Sequence, residues 1–277
     1  MAEAKTINTP SINLTDESFD INKSNTYHLS ILCSENGFAY AVLDTNTNKY
    51  LVLKENNDIS VFSPLGEGGN WTSVTCAIAH NKFTLIPSAL FDAENKESLL
   101  GFNHEVKKGE EIISNTLHNL EAKNLFTVSK IFVSEIRKHF QNANFIHSST
   151  SFIEGLLVQN KNNQGKKVFA NFYSDYLEVA ILDGRELLFS NAFKYKTSED
   201  IAYYILFVYE QLRLNPETIE LILTGEIEKT AKEHSLLYTY IRNVKFASLP
   251  ESFKYSYRFE EIPSHKFFSL LTQYLCA

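Results

Sequence analysis

Methionine is absent after Met1, so no adaptable methionine-lined groove can form. Cysteine is almost as scarce. Cys33, Cys76 and Cys276 are odd in number and widely spaced, with no CxxC pair and no histidine at ligand spacing, which excludes a disulfide framework and a structural zinc site and suits reduced thiols. No run of about 18 apolar residues occurs, and the opening MAEAKTINTPSINLTDESFD is polar and acidic where a secretory leader is basic and then apolar. A soluble, cytoplasmic protein without a transmembrane segment is expected. Basic residues are outnumbered 26 to 33, for a net charge of -7, and they are scattered. Counterion release on a polyanion therefore has little footing, and no nucleic-acid partner is expected.

What is present is apolar material for a large core, 44% of 277 residues. Residues 1–24 lack aromatic or aliphatic periodicity and read as a flexible arm. From Tyr27, the runs YHLSILC, FAYAVLD and KYLVLKE, separated by SENG and TNTN, predict an antiparallel meander. Strands SVTCAIAH and KFTLIP follow, then a helix near Asp92–Leu100. Ser129 is placed to cap KIFVSEIRKHF, whose Ile131, Phe132, Ile136 and Phe140 share a face. ANFIH reads as a strand, and residues 149–158 as a helix running into the polar NKNNQGKK.

The pattern then begins again. KVFANF, LEVAIL and RELLFS, joined by YSDY and DG, predict a second meander. A helix over SEDIAYYILFVYEQLRL follows, with Ser198 as its expected cap and Ile201, Tyr204, Ile205, Val208 and Leu212 as its buried stripe. IELILT (strand), EIEKTAKEHSLLYTYI (helix), VKFASLP (strand) and SHKFFSLLTQYL (helix) complete the chain. Meander, helix and strand thus occur twice, which predicts an internal duplication. The expected units are 25–160 and 161–277, the last helix returning to the first unit.

A meander followed by helix, strand and helix, present twice, resembles the duplicated ribonuclease-H-like fold of the actin, Hsp70 and sugar-kinase superfamily. The second half resembles most the actin-like cytoplasmic component of type IV pilus machines. The resemblance implies an α/β fold of two subdomains with mixed sheets flanked by helices, and a nucleotide cleft between them. VFANFYSDYLEVAIL lies on the pattern without a gap, but Asn171 stands where the family keeps a metal-organising Asp, and Tyr173 where it keeps a phosphate-loop Gly. In the first half, LSILCSENGFAYAVLD places Leu32 at the acidic position and Ser34 at the glycine. The adenosine-contacting strand and Gly-Gly turn appears as LILTGE, with Thr224 and Gly225 followed by Glu226 in place of the second glycine. The chain from Tyr27 onward is also similar to an uncharacterised bacterial family, a domain of unknown function linked to the same superfamily, through FTLIPSALFD, EDIAYYILFVYEQL and LILTGE.

Leucine cannot organise a hydrated Mg²⁺, and a bulky Tyr173 obstructs the approach of backbone N–H groups to a phosphate, while Asp175 and Glu226 add negative charge. The cleft residues Leu32, Ser34, Asn171, Tyr173, Asp175, Thr224, Gly225 and Glu226 are therefore expected to form a degenerate site, with no cofactor, no metal and no catalytic residue. Eight single histidines form no ligand pair, and Ser148–Ser151 lacks a Gly-x-Ser-x-Gly frame and reads as a helix start. Asp44 and Asp183 read as turn residues. The expectation is a non-catalytic protein acting through an unknown protein partner, as scaffold or assembly component, with homo-oligomerisation left open. The alternatives are an ATP-binding actin-like ATPase or kinase with atypical site residues and, last, a nucleic-acid enzyme needing metal-binding acids that the first strand lacks.

Overall fold

A computed structural model describes residues 12–35, 37–56 and 69–277. In chain order it contains β1 (Asn13–Thr15), β2 (Tyr27–Ser34), β3 (Gly37–Asp44), β4 (Lys49–Asn56), β5 (Ser73–Ile78), β6 (Phe83–Pro87), α1 (Lys96–Gly101), β7 (Glu110–Leu117), β8 (Ala122–Ser129), α2 (Lys130–His139), β9 (Asn144–His147) and α3 (Ser148–Asn160). There follow β10 (Lys166–Phe172), β11 (Tyr176–Asp183), β12 (Glu186–Lys194), α4 (Ser198–Gln211), β13 (Leu221–Gly225), α5 (Lys232–Tyr240), β14 (Val244–Phe246), β15 (Lys254–Tyr255) and α6 (Phe268–Leu271).

The two meanders form because β-branched and aromatic residues fill strands that turn on Asn, Asp and Gly. Asp44 illustrates the turn chemistry: its carboxylate accepts from Asn46 N at 3.0 Å and Thr47 Oγ1 at 2.9 Å, closing the β3–β4 turn. Each meander continues in the same way. The first sheet runs β4-β3-β2-β5-β9 and the second β12-β11-β10-β13-β14, antiparallel through the first three strands and parallel thereafter. One wiring repeated twice is the duplicated α/β architecture that the sequence pattern implies.

The first sheet gains strands at its edge. β1 pairs antiparallel with β4, and Asp16 beside it holds Lys49 at 2.8 Å, so the flexible arm expected over 1–24 is replaced by ordered structure from residue 13; residues 1–11 lie outside the described residues. β15, from the second half, also pairs with β4. A three-stranded sheet β6-β8-β7 was not evident in the sequence, because EEIISNTL and AKNLFTVS do not alternate cleanly and their connection, HNLE, contains neither Gly nor Pro. Buried asparagines occupy it instead: Asn115 Nδ2 donates to Phe145 O at 3.0 Å, and Asn124 Nδ2 to Ser149 Oγ at 2.7 Å.

Five layers result. α4 and α5 cover the outer face of the second sheet, where Ile201, Ile205 and Val208 meet Val168, Val179 and Leu223. α3 lies on its inner face through Phe152, Ile153 and Leu156. α6 and the residues before it cover the first sheet, packing Phe259, Phe267, Leu270 and Leu271 on Leu43, Tyr50 and Leu53. Beyond the first sheet stand α2 and the small sheet. The α3–α6 crossing is close because Gly155 has no side chain; a Cβ there would lie 2.5 Å from Thr272 Cγ2.

Several boundaries differ from expectation for local reasons. The cap of α4 is Thr197, not Ser198, since only Thr197 has an acid three residues on; its Oγ1 accepts from Asp200 N at 3.2 Å while Asp200 accepts from Thr197 N at 3.0 Å. Within α4, Ile201, Ile205 and Val208 are buried but Tyr204 and Leu212 only half-buried, and Tyr203 and Phe207 are exposed. α2 is capped by Ser129, yet it buries Val133 and Ile136 and leaves Ile131 exposed. α1 starts later than expected and α5 begins at Lys232 rather than Glu226, because Glu226 N donates to Phe172 O at 2.8 Å and His265 Nε2 bonds Ile227 O at 2.7 Å, holding the intervening chain as a loop. The final helix shrinks to α6 plus a 3-10 turn, where Gln273 Nε2 reaches back to Ile31 O at 3.0 Å. The irregular stretch Ile59–Trp71 lies, up to residue 68, outside the described residues.

Burial of uncharged imidazoles gives the fold an acid sensitivity. His28 is fully buried, with Nδ1 2.7 Å from Ser73 Oγ, and burial pushes its pKa down to about 3; burial likewise depresses His147 and His80. The unfolded chain takes up protons near pH 6.5 while the native state refuses them, so stability present above that pH is lost as the pH falls from about 6.5 towards 3. At pH 5 the His28 contribution to the loss is ~2 kcal/mol. Urea midpoints at pH 7.5 and pH 5 check this: the difference should shrink in His28→Asn, and an unchanged difference would clear His28 of the effect.

Candidate functional site

β10 and β13 run parallel and end together, pairing Asn171 with Thr224 and Phe172 with Gly225. After β10 the chain turns sharply: Tyr173 N donates to Tyr176 O at 2.9 Å and the hairpin returns as β11, which sets Glu178 opposite Asn171. The sequence residues Asn171, Tyr173, Thr224 and Gly225 are thereby brought to one place.

Every polar atom of the Asn171 amide is engaged. Its Oδ1 accepts from Thr224 Oγ1 at 2.9 Å, and its Nδ2 donates to Tyr173 Oη at 2.9 Å and to Ser269 Oγ, on α6, at 3.1 Å. Gly225 sits at φ +82° with its N–H donating to His265 O at 3.0 Å. A Cβ there would lie 2.2 Å from Phe172 O and 2.7 Å from Asn171 Oδ1. This glycine is required by the close approach of β13 to β10, a structural demand independent of any ligand.

Tyr173 is buried and stacks on Tyr176, ring centroids 4.4 Å apart and planes inclined 11°. Ala79, immediately after β5, joins them in one apolar cluster, and Leu32 and Ala192 pack against it. Leu32 comes from β2 of the first half and the tyrosines from the hairpin of the second. The space between the two first-strand turns is thus lined by an aromatic pair and aliphatic side chains. Burial raises the phenol pKa of both tyrosines, so they remain uncharged.

The other expected cleft residues are less engaged. Ser34 is half-buried and donates to Gly37 O at 3.2 Å within its own hairpin. Asp175, at the hairpin tip, is exposed. Glu226 is also exposed; crowding by the surrounding protein and then the Glu55 carboxylate raise its pKa against the opposing Lys266, which pairs with Glu55 at 2.7 Å.

One buried acid escaped the sequence reading. Glu178 lies in the apolar run LEVAIL, is 1% exposed, and is pushed up to about 8 by burial, with only Asn171 and Ser148 moderating it. Its signal in the sequence was a charge in the middle of an otherwise apolar strand. Ser149 and His147 also meet, Oγ to Nδ1 at 2.7 Å, in an arrangement that superficially suits a nucleophile and base. His147 Nδ1, however, accepts from Ser149 N at 3.1 Å, capping α3, and its Nε2 is 2.9 Å from His80 O. Both residues are sealed in the core, so the pair builds the helix start.

The sequence model of a family described as a protein of unknown function, DUF3822, matches residues 16–244. No curated protein matches the chain. Among solved structures, a Bacteroides thetaiotaomicron VPI-5482 protein with actin-like ATPase fold and unknown function is similar at 27% identity over 83% of this chain and 93% of that one, with a TM-score of 0.74. The PilM-PilN type IV pilus biogenesis complex is similar in fold, at 11% identity, 88% and 96% coverage and a TM-score of 0.55. The fold is that of the actin-like ATPases. No helix among the described residues is long and apolar enough to cross a membrane.

Proposed function

We infer, for a chain that belongs to the DUF3822 family of proteins of unknown function, that the cleft between its halves is a filled shell and that the protein works through protein contacts as a scaffold or assembly component. The carrying observation is the stacked Tyr173–Tyr176 pair against Leu32 and Ala79, in the space where the resemblance sets the phosphates. With the Asn171 amide saturated and Leu32 apolar, these residues do not fit a nucleotide with its hydrated metal. Asp175 and Glu226 would add repulsion. The expected setting is the cytoplasm, in keeping with three buried free thiols.

Two further observations favour contacts over chemistry. The outer helices leave Tyr203, Phe207, Tyr238 and Tyr240 exposed, aromatic residues of the kind that anchor protein interfaces. The fold neighbour from the pilus machinery is a protein complex, which lends the scaffold reading a precedent at the level of fold.

Thermal melting with and without Mg-ATP tests the reading. A ligand at a hundred times its dissociation constant stabilises the native state by about 2.7 kcal/mol, so 1 mM nucleotide would raise the melting temperature of even a ~10 µM binder by several degrees. No rise and no phosphate release above a blank are expected. A saturable rise would instead promote the ATP-binding alternative.

A further inference from the structure

The two large sheets repeat one wiring but end differently. β4, the outermost meander strand of the first half, has its far side covered: β1 pairs with it antiparallel and β15 parallel. At the opposite edge β9 is capped by a side chain, Phe145 O accepting from Asn115 Nδ2 at 3.0 Å and His147 N donating to Asn115 Oδ1 at 2.9 Å. β12 holds in the second half the place that β4 holds in the first. It spans nine residues, and among the described residues no strand lies on its far side. A long open edge is a template for another strand.

The backbone groups on that edge can be assigned. Tyr195 N donates to Asp175 O at 3.0 Å, and antiparallel pairing alternates, so Phe189, Asn191 and Phe193 turn their N–H and C=O groups to β11 while Ser190, Ala192 and Lys194 turn theirs outward. Ala192 bears this out: its N–H donates to Asn191 Oδ1 at 2.9 Å, a local acceptor standing where a neighbouring strand would supply a carbonyl.

We propose that β12 is a self-association edge, on which two copies of this chain pair their β12 strands antiparallel about a two-fold axis at Ala192 and join their second sheets into one. The strand is self-complementary. Its only charged residues are Glu186 at the start and Lys194 at the end, both exposed, so an antiparallel copy runs the basic end of each strand towards the acidic end of the other, where parallel pairing would set like charges together. About Ala192, Ser190 of one copy stands opposite Lys194 of the other, and every outward N–H and C=O from Ser190 to Lys194 gains a partner. Ile181 faces Phe189 but Leu182 faces Leu187, so Leu188 is an extra residue whose bulge ends the ladder on that side. On the outer face, Phe189, Phe193 and Tyr204 form a row with ring centroids 6.5 and 4.9 Å apart, and the pairing sets Asn191 of one copy beside Phe193 of the other, carrying that row across the axis. The second copy thus does for β12 what β1 does for β4. The inference stands on the edge alone and not on the scaffold reading: melting with Mg-ATP judges that reading, and association judges this one.

The test is sedimentation velocity on the full chain over about a hundredfold range of concentration, with a monomer-to-dimer transition expected. Ala192→Pro removes one outward N–H and leaves the ladder to β11 intact, and should weaken the dimer about tenfold or more. Lys194→Glu should also weaken it, and adding Glu186→Lys to that variant should restore it. Amide exchange followed by NMR at low and high concentration does not depend on the variants folding: the amides of Ser190, Ala192 and Lys194 should slow as concentration rises, while those of Phe189, Asn191 and Phe193 are slow throughout. A monomer at every concentration, a dimer that Ala192→Pro retains in full, or protection without that alternation overturns the proposal.

Discussion

Gly225→Ala is expected to destabilise the protein by roughly 3–5 kcal/mol, a cost in the upper range for single substitutions. Two causes add. The residue sits at φ +82°, which costs a residue with a Cβ about 1–2 kcal/mol. The new methyl would also stand 2.2 Å from Phe172 O, so the end of β13 must move away from β10. That movement strains the bonds from Glu226 N to Phe172 O and from Gly225 N to His265 O, each worth about 1 kcal/mol. Urea unfolding measures the sum, and a loss under about 1 kcal/mol would mean the strands are not so closely apposed. Gly225 is consequently a poor probe of nucleotide binding: replacing it disturbs the fold whether or not a ligand binds.

Ile205→Ala is expected to cost about 2–5 kcal/mol, because the side chain is fully buried between α4 and the outer face of the second sheet, where a cavity would remain. Phe207, two residues on and 41% exposed, supplies the contrast, and its truncation should stay within about 0.5 kcal/mol. Denaturant melts of both variants separate a packed face from a free one. A small loss at Ile205 would make α4 a loosely held surface helix, whereas equal losses at both positions would indicate that the aromatic face is also covered.

Much of this architecture was legible because its signals are local. The meanders announced themselves through β-rich runs broken by Asn, Asp and Gly turns, and the capping residue Ser129 marked the start of α2. The α4 cap was legible too, but the decisive sign was the Thr197-to-Asp200 spacing and not the hydroxyl nearest the apolar run. The β7–β8 hairpin was not, since its buried asparagines Asn115 and Asn124 look like solvent residues until Phe145 and Ser149 are seen beside them. At the proposed cleft, the resemblance sets Asn171, Tyr173 and Leu32 where the family keeps acids and a glycine, whereas the packing of Leu32 on the tyrosine pair could not be read from the sequence.

The sequence by itself determined the repeated strand and helix order and most of the buried stripe of α4, because hydrophobic period, turn chemistry and side-chain type act over a few residues. Only the tertiary structure decided that Leu32 meets Tyr173 and Tyr176 across the two halves, that Gly225 must be glycine to admit the end of β10, and that Glu178 is sealed in the core with Ser148. Those outcomes depend on contacts between segments far apart in the chain, and neither propensity nor periodicity specifies which distant side chain will remove a given atom from water.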